Sequence, residues 1–528
     1  MTTIDTTPPR AGRREWAGLA VLSLAAMMVT FDLLALLLAL PGLSADLRPS
    51  TVEQLWILDI YGFLVGGFLV TMGSLGDRIG RRRLLMIGAV CFAVASLVSA
   101  YATSPAMLIA ARALLGIAGA TLAPSTLALI SNMFRDRTQM GQAIGIWASA
   151  FALGAILGPV VGGFLLAHFW WGSVFLLAVP VMVLLLVFIP ILVPEFKNPA
   201  AGRLDLVSAA LSVAAMLAVI YCIKELSRHG IHPVPLALGV VGVVLGVLFA
   251  RRQLRLENPM LDLAMFRNRS FSGMLTGLLI YGLVSASCML FITQFFQSVA
   301  NLTPLQAALC LLPGTVLTTA ASTYAPILAR RVRPAYLIGG GLVAVAVAYA
   351  SFAFVDAGSG PAPLIIGFAV IALGQAPLMS LGTGLVIGAV PPEKVGQTSS
   401  VVQVANEAGA ALGVALLGSI GAVVYRSQLA DAVPAGVPSE AVDVARENVA
   451  GAVAEAATLP APTGSGLLGA AHGAFAASLN VYGVICAGLV VLVAGLVIAT
   501  HRRMPPTGQA SAPADSEPAA DVPAVSAQ

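Results

Sequence analysis

Fourteen apolar stretches, each of bilayer-crossing length, constrain this chain more than any other feature. They fall at about 17–40, 52–73, 84–102, 106–130, 140–165, 172–193, 205–223, 234–250, 271–297, 304–329, 335–355, 362–389, 398–424 and 476–500. A spanning helix needs roughly 20 mostly apolar residues, and inside hydrocarbon its backbone must pair with itself. Hydrophobic residues make up 58% of the chain and charged ones 10%, against about 25% charged in soluble domains. No interior can hide that much apolar side chain, so the outside must face lipid. The 53 glycines suit close helix packing. An all-α integral membrane protein follows. Spans 7 and 8 are short and joined by a small polar loop around Arg228–His232.

Charge placement sets the orientation. With the N-terminus inside, the inner loops hold 22 of the 28 Lys and Arg, and the outer loops hold only Arg48, Lys224, Arg228, Arg426 and Arg446. Arg112 remains within span 4. The positive-inside bias therefore predicts fourteen spans with both termini cytoplasmic. Arg10, Arg13 and Arg14 precede the first apolar run, which is too long for a signal-peptide core and is read as a retained helix.

Outside the spans, residues 427–473 form an outer segment rich in Ala, Pro and Gly, in which Ser439 to Ala457 is expected as one amphipathic helix. The tail 504–528 is Pro/Ala/Ser-rich and acidic, and disorder is expected there. The five cysteines, Cys91, Cys222, Cys288, Cys310 and Cys486, have no metal-ligand spacing and read as thiols in apolar stretches. His168, His232, His472 and His501 read as loop or interface residues. The chain has no Gly-x-x-x-x-Gly-Lys-Ser/Thr loop, nucleophile elbow or His-Glu-x-x-His, so neither nucleotide hydrolysis nor other catalysis is expected.

Charge inside lipid is expensive and points to function. Arg112 lies in span 4, Asp32 in span 1, Asp59 in span 2 and Glu407 in span 13, with Gln403 one turn before Glu407 on the same face. Burial favours the neutral form of a carboxylic acid, so such acids can carry protons and can exchange a proton for a cation. Two readings stay open for each acid: a proton and substrate carrier, or a static partner of Arg112 or a backbone donor. Arg112 itself either belongs to that centre or snorkels to an interface. Trp147, Phe291, Phe295, Phe296 and Met379 either line a pocket or pack the core.

Two glycine patterns add detail. Between spans 2 and 3 runs Gly73-Ser74-Leu75-Gly76-Asp77-Arg78-Ile79-Gly80-Arg81-Arg82-Arg83. Its glycines allow a tight turn, and Asp77 with the arginines can lock neighbouring helix ends together. Span 5 carries Gly154-x-x-x-Gly158-Pro159-x-x-Gly162-Gly163, a small-residue face with a helix-bending proline.

The Gly73–Arg83 string resembles the signature loop between the second and third helices of the major facilitator superfamily. Arg112 resembles that superfamily's fourth-helix arginine, implicated in proton relay, with Leu115 where a polar residue is usual. The span 5 pattern resembles the antiporter motif. Asp32 followed nine residues later by Pro41 resembles the first helix of fourteen-helix drug:proton antiporters, with Leu34 and Leu37 at its usual Thr and Asn positions. The family often has a carboxylate where Gln403 stands.

The resemblance implies a proton-coupled multidrug efflux antiporter of the bacterial cell membrane, working by alternating access. Its substrates would be hydrophobic, mainly cationic compounds. Asp32, Asp59, Glu407, Gln403 and Arg112 would bind substrate and protons. Gly73, Asp77, Arg78, Gly80, Arg81 and Arg82 would latch one end, and Gly154, Gly158, Pro159, Gly162 and Gly163 would form a hinge. It implies a six-helix bundle at 17–195 after a tail at 1–16, two intercalated helices at 196–255 and a second bundle at 256–503. Protons as coupling ion are the only cofactor expected, and the partners are small molecules and membrane lipid, without nucleic acid, in a monomer. A narrow-specificity exporter and a transport-inactive sensor remain as alternatives.

Overall fold

The computed structural model describes residues 10–49, 51–197, 205–229, 233–256, 259–391, 394–434, 436–502 and 504–506. The expected disordered tail, apart from 504–506, and the first nine residues lie outside these, as does His232. The described side chains also exclude those of Leu34, Leu37, Pro41 and Pro159.

Fourteen helices are long and apolar enough to cross a membrane. Span 1 is Arg13–Leu47, span 2 Thr51–Ile79, span 3 Arg81–Ala100, span 4 Pro105–Met133 and span 5 Arg137–His168. Span 6 is Ser173–Leu192. Span 7 is Leu206–His229 and span 8 Pro233–Gln253. Span 9 is Arg269–Val299 and span 12 Ala362–Gly388, each including a π turn. Spans 10, 11, 13 and 14 are Pro304–Leu328, Pro334–Ser351, Val395–Ala432 and Ala461–His501.

Their starts are written locally. Ser104, Asp136, Asn268 and Thr303 each accept a backbone N–H of the first turn, satisfying donors that the helix leaves open. In span 12 the π turn Leu378–Gly382 directly follows Pro377, which cannot donate a backbone hydrogen bond.

Spans 1, 13 and 14 are much longer than expected, at 35, 38 and 41 residues. At about 1.5 Å per residue they reach some 50–60 Å, well beyond the ~30 Å hydrocarbon layer. The expected loop 427–473 is therefore largely helical. Its single amphipathic helix is instead two, Ser439–Glu447 and Val449–Ala456. Asn448 breaks them, its side chain accepting Gly451 N–H at 2.8 Å. The buried faces of both pack together, and Tyr425 Oη donates to Ala445 O at 2.9 Å.

Glycines set the crossings. A Cβ on Gly116 would stand 2.7 Å from Tyr61 O, fixing spans 2 and 4 in near backbone contact. Gly154 meets the Met27 carbonyl across spans 5 and 1, and Gly409 and Gly413 meet Leu279 and Leu283 across spans 13 and 9. Contacts run 1–5, 2–4, 3–4 and 3–6 among the first six spans, and 9–13, 11–14, 10–12 and 11–12 among the last six. Spans 7 and 8 pack on each other, and span 7 lies against both span 2 and span 13. Arg252 holds Asp205 with two bonds of 2.7 and 3.0 Å at their shared end, keeping that carboxyl below its usual range. Span 8 otherwise turns Val240, Val243 and Val247 outward, a surface suited to lipid.

All five cysteines are free thiols, with Cys288 and Cys486 buried and Cys91 exposed. His501 departs from the interface reading: it is buried, with Nε2 2.6 Å from Ser270 Oγ.

Candidate functional site

Span 4 places Arg112 in the middle of the first bundle with none of its side chain exposed, and span 1 brings Asp32 to it at 4% exposed. Arg112 Nη1 donates to Asp32 Oδ2, and Nε donates to Ile57 O at 3.3 Å. The guanidinium lies over the Tyr61 ring, 4.7 Å from its centroid, with Phe175 behind it at 5.9 Å. Tyr61 Oη donates to Val29 O at 3.2 Å. Arg112 Nη2 has no hydrogen-bond partner among the described residues.

This geometry removes the snorkelling alternative, since Arg112 reaches no interface. Of the two readings open for Asp32, the pairing with Arg112 is present: Asp32 is ion-paired. The charge is tolerable here because a carboxylate, a carbonyl and two aromatic faces replace its hydration. Tyr61 was not singled out from sequence. The available signal was its i+4 relation to Ile57, which puts both on the span 2 face that meets span 4.

Glu407 lies on span 13, which packs against spans 2 and 4. Glu407 itself is exposed amid buried and half-buried neighbours, with Gln403 buried one turn before it. Asp59 is half-buried on another face. At about 100° per residue it lies some 200° round from Ile57, between Trp56 and Phe63 on one stripe. Phe63 meets Trp56 at 6.2 Å and Tyr221 of span 7 at 6.5 Å between centroids. Span 2 thus carries Asp59 on the stripe whose Phe63 meets span 7, while Ile57 and Tyr61 meet Arg112.

Of the expected pocket-lining residues, Trp147, Phe291, Phe295 and Phe296 are buried in the hydrophobic core and Met379 is packed against it. Trp147 Nε1 donates to Thr126 Oγ1 at 3.0 Å, and Phe291 stacks on Tyr482 at 4.4 Å. Packing is their role in this conformation.

The glycine and arginine loop joins the two halves. Asp77 is bound by Arg81, with Nε at 2.9 Å and Nη2 at 2.6 Å from Oδ1, while Arg78 Nη1 turns back to Ser74 on its own helix. Arg78 thus bonds Ser74, while Asp77 is held by Arg81. Gly396 at the start of span 13 sits directly on this pair, and Gly73 sits on Ser400. Gly80 adopts φ 112°, where an L side chain is strained, and any Cβ there would meet the Glu195 carboxylate at 2.7–3.0 Å. Glu195 accepts the backbone N–H groups of Arg82 and Arg83 at 2.9 and 3.1 Å, capping span 3 from the far side of span 6.

The halves also meet at this arginine-rich end through spans 5 and 10. A Cβ on Gly145 would touch Ser322 and one on Gly141 would touch Pro326, and Arg330 donates to Thr138 Oγ1 at 2.8 Å. The span 5 glycines divide in use. Gly154 and Gly162 pack on span 1, Gly158 is buried, and Gly163 faces open space.

The profile of the Major Facilitator Superfamily matches residues 22–422. The chain is 42% identical over 506 residues to the multidrug efflux pump LfrA of Mycolicibacterium smegmatis, covering 95% of this chain and 100% of that one. It is 32% identical over 464 residues to the methyl viologen resistance protein SmvA of Salmonella typhimurium, covering 88% and 93% respectively. Its fold is similar to the crystal structure of the human organic anion transporter MFSD10, with a TM-score of 0.57 at 16% identity over 93% of this chain and 100% of that one. At such low identity the likeness speaks for the fold alone. On the family match and the fourteen spans together, this chain belongs to the major facilitator superfamily and is a multi-pass membrane transporter.

Proposed function

We propose that the chain exports hydrophobic cations in exchange for protons. The observation that carries this reading is the buried Asp32–Arg112 pair with the Tyr61 ring beside it. A fixed pair of this kind can switch partners. When Asp32 takes a proton, Arg112 loses its counter-ion and turns to other acceptors. When the proton leaves, the pair re-forms. A cation arriving near Glu407 changes which state is favoured, which couples substrate to proton.

In this reading the arginine-rich end is cytoplasmic, following the positive-inside bias. Contacts 2–13 and 5–10 then close the cytoplasmic side, as in an outward-facing state. Opening inward requires Gly396 to leave the Asp77–Arg81 pair. Gly154 and Gly162 keep span 1 fixed to span 5 while the halves rock. Pro159 would bend span 5 during that motion. Asp59 is assigned to the span 7 side, as a second proton acceptor.

The relatives named for multidrug efflux and for resistance to methyl viologen, an aromatic dication, support the substrate class. Ethidium efflux from cells or proteoliposomes, with and without a proton gradient, tests the proposal. Gradient-dependent efflux that Asp32→Asn abolishes is expected. No ethidium movement under either condition refutes the broad cation reading in favour of a narrow-specificity exporter.

A further inference from the structure

We propose that the outer end of span 1 carries a second site for hydrophobic organic cations, built from Asp46 and the rings of Phe169, Trp170 and Trp171. The inference rests on the export reading above. Where spans 1 and 5 diverge, these residues line an open-sided cavity of about 490 Å³ together with Leu38 and Gly42. That volume matches sites for drug-sized molecules, roughly 300–1,000 Å³.

The chemistry is selective. Trp171 is 7% exposed and its Nε1 donates to Asp46 Oδ2 at 2.8 Å, which holds the carboxylate at the cavity edge. Phe169 and Trp170 are 56% and 45% exposed, so ring faces remain for a ligand. Aromatic faces beside a carboxylate attract an organic cation by ring quadrupole and by charge. Aromatic residues at a bilayer interface are common as anchors, and Trp170 partly serves so, with Nε1 3.3 Å from Ala100 O and its ring 5.8 Å from Tyr101. Trp171 does not: it is buried and spends its N–H on the acid. Gly42 lines the groove opposite Trp171, whose Cβ would be in ordinary contact, at 3.5 Å, with a Cβ there, so a larger side chain at this position would intrude on the cavity.

Position fits an exit station. Asp46 follows Asp32 by fourteen residues on the same continuous helix. That is about 21 Å further out and only about 40° short of four full turns, hence on nearly the same face. A cation leaving Asp32 would meet Asp46 before bulk water.

Equilibrium dialysis of radiolabelled tetraphenylphosphonium against the purified full chain tests this. Two sites per chain are expected. Asp46→Asn should weaken the outer site about tenfold, as expected for losing one charge contact at a half-exposed position. Gly42→Leu should fill the groove and abolish that site, and Asp32→Asn should remove only the other one. A single site that Asp46→Asn and Gly42→Leu leave at native affinity overturns the outer site while keeping the export reading. A single site lost in Asp46→Asn but kept in Asp32→Asn supports the outer site and counts against the central one. No binding by the native chain overturns the outer site, and ethidium efflux still judges export separately.

Discussion

Replacing Asp32 by Asn takes the paired carboxylate from a fully buried Arg112. The two side chains are 4% and 0% exposed, and Arg112 keeps only the 3.3 Å bond to Ile57 O and its stack on Tyr61 at 4.7 Å. Removing one member of a buried pair costs about 3–5 kcal/mol. The new amide oxygen can accept one bond, returning about 1 kcal/mol. A net loss of about 3 kcal/mol in unfolding free energy is therefore expected for Asp32→Asn, and a similar one for Arg112→Met. Asp32→Leu combined with Arg112→Met should recover stability to within about 1 kcal/mol of the native chain, because an apolar pair needs no compensation. Neither single variant nor the double one should pump. Denaturant unfolding in micelles gives the stabilities, and ethidium efflux gives the activity. An Asp32→Asn chain that unfolds within about 0.5 kcal/mol of native and still pumps would refute both the energetic and the mechanistic reasoning.

Three further outcomes follow from other contacts. Gly396→Ala puts a methyl group into the Asp77–Arg81 pair, so the closed end should open: cysteine labelling near Ser400 from the arginine-rich side should rise, with an overpacking penalty of about 1–3 kcal/mol. Unchanged labelling would disprove the latch. Asp262 is bonded by Lys394, which holds its carboxyl below the ordinary range, so the pair's stabilisation is present above about pH 4 and is lost as pH falls through the depressed value. Asp262→Asn should accordingly lower the thermal midpoint at pH 7, and the gap should close in acid; a gap that persists at low pH contradicts the assignment. Glu407→Gln should reduce efflux of dicationic more than monocationic dyes in a transport comparison, because it removes an exposed negative charge of span 13 without breaking the Asp32–Arg112 pair.

The glycine string illustrates how far sequence reasoning carries. Asp77 and the arginines mark a lock by type and spacing, yet Arg78 and Arg81 look equivalent in a linear string. Only the turn at Gly80, with its φ of 112°, aims Arg81 back at Asp77 and leaves Arg78 on Ser74. The length of span 14 was hidden for a different reason. Residues 461–475 mix Pro, Gly, Ser and Ala and lack the hydropathy of a span, but they are helical and span 14 packs on the short helix Val449–Ala456.

The sequence by itself determined the fourteen spans, their orientation bias, the charged residues within them and the small-residue faces. Each depends on run length, on local charge or on neighbours within a turn or two, so a linear reading suffices. The tertiary structure alone decided that Asp32 pairs with Arg112 from 80 residues away, that Phe63 of span 2 meets Tyr221 of span 7, and that Gly396 sits on the Asp77–Arg81 pair. Those outcomes depend on which helix faces meet and at what depth, and contact between distant helices is set by the packing of the whole bundle.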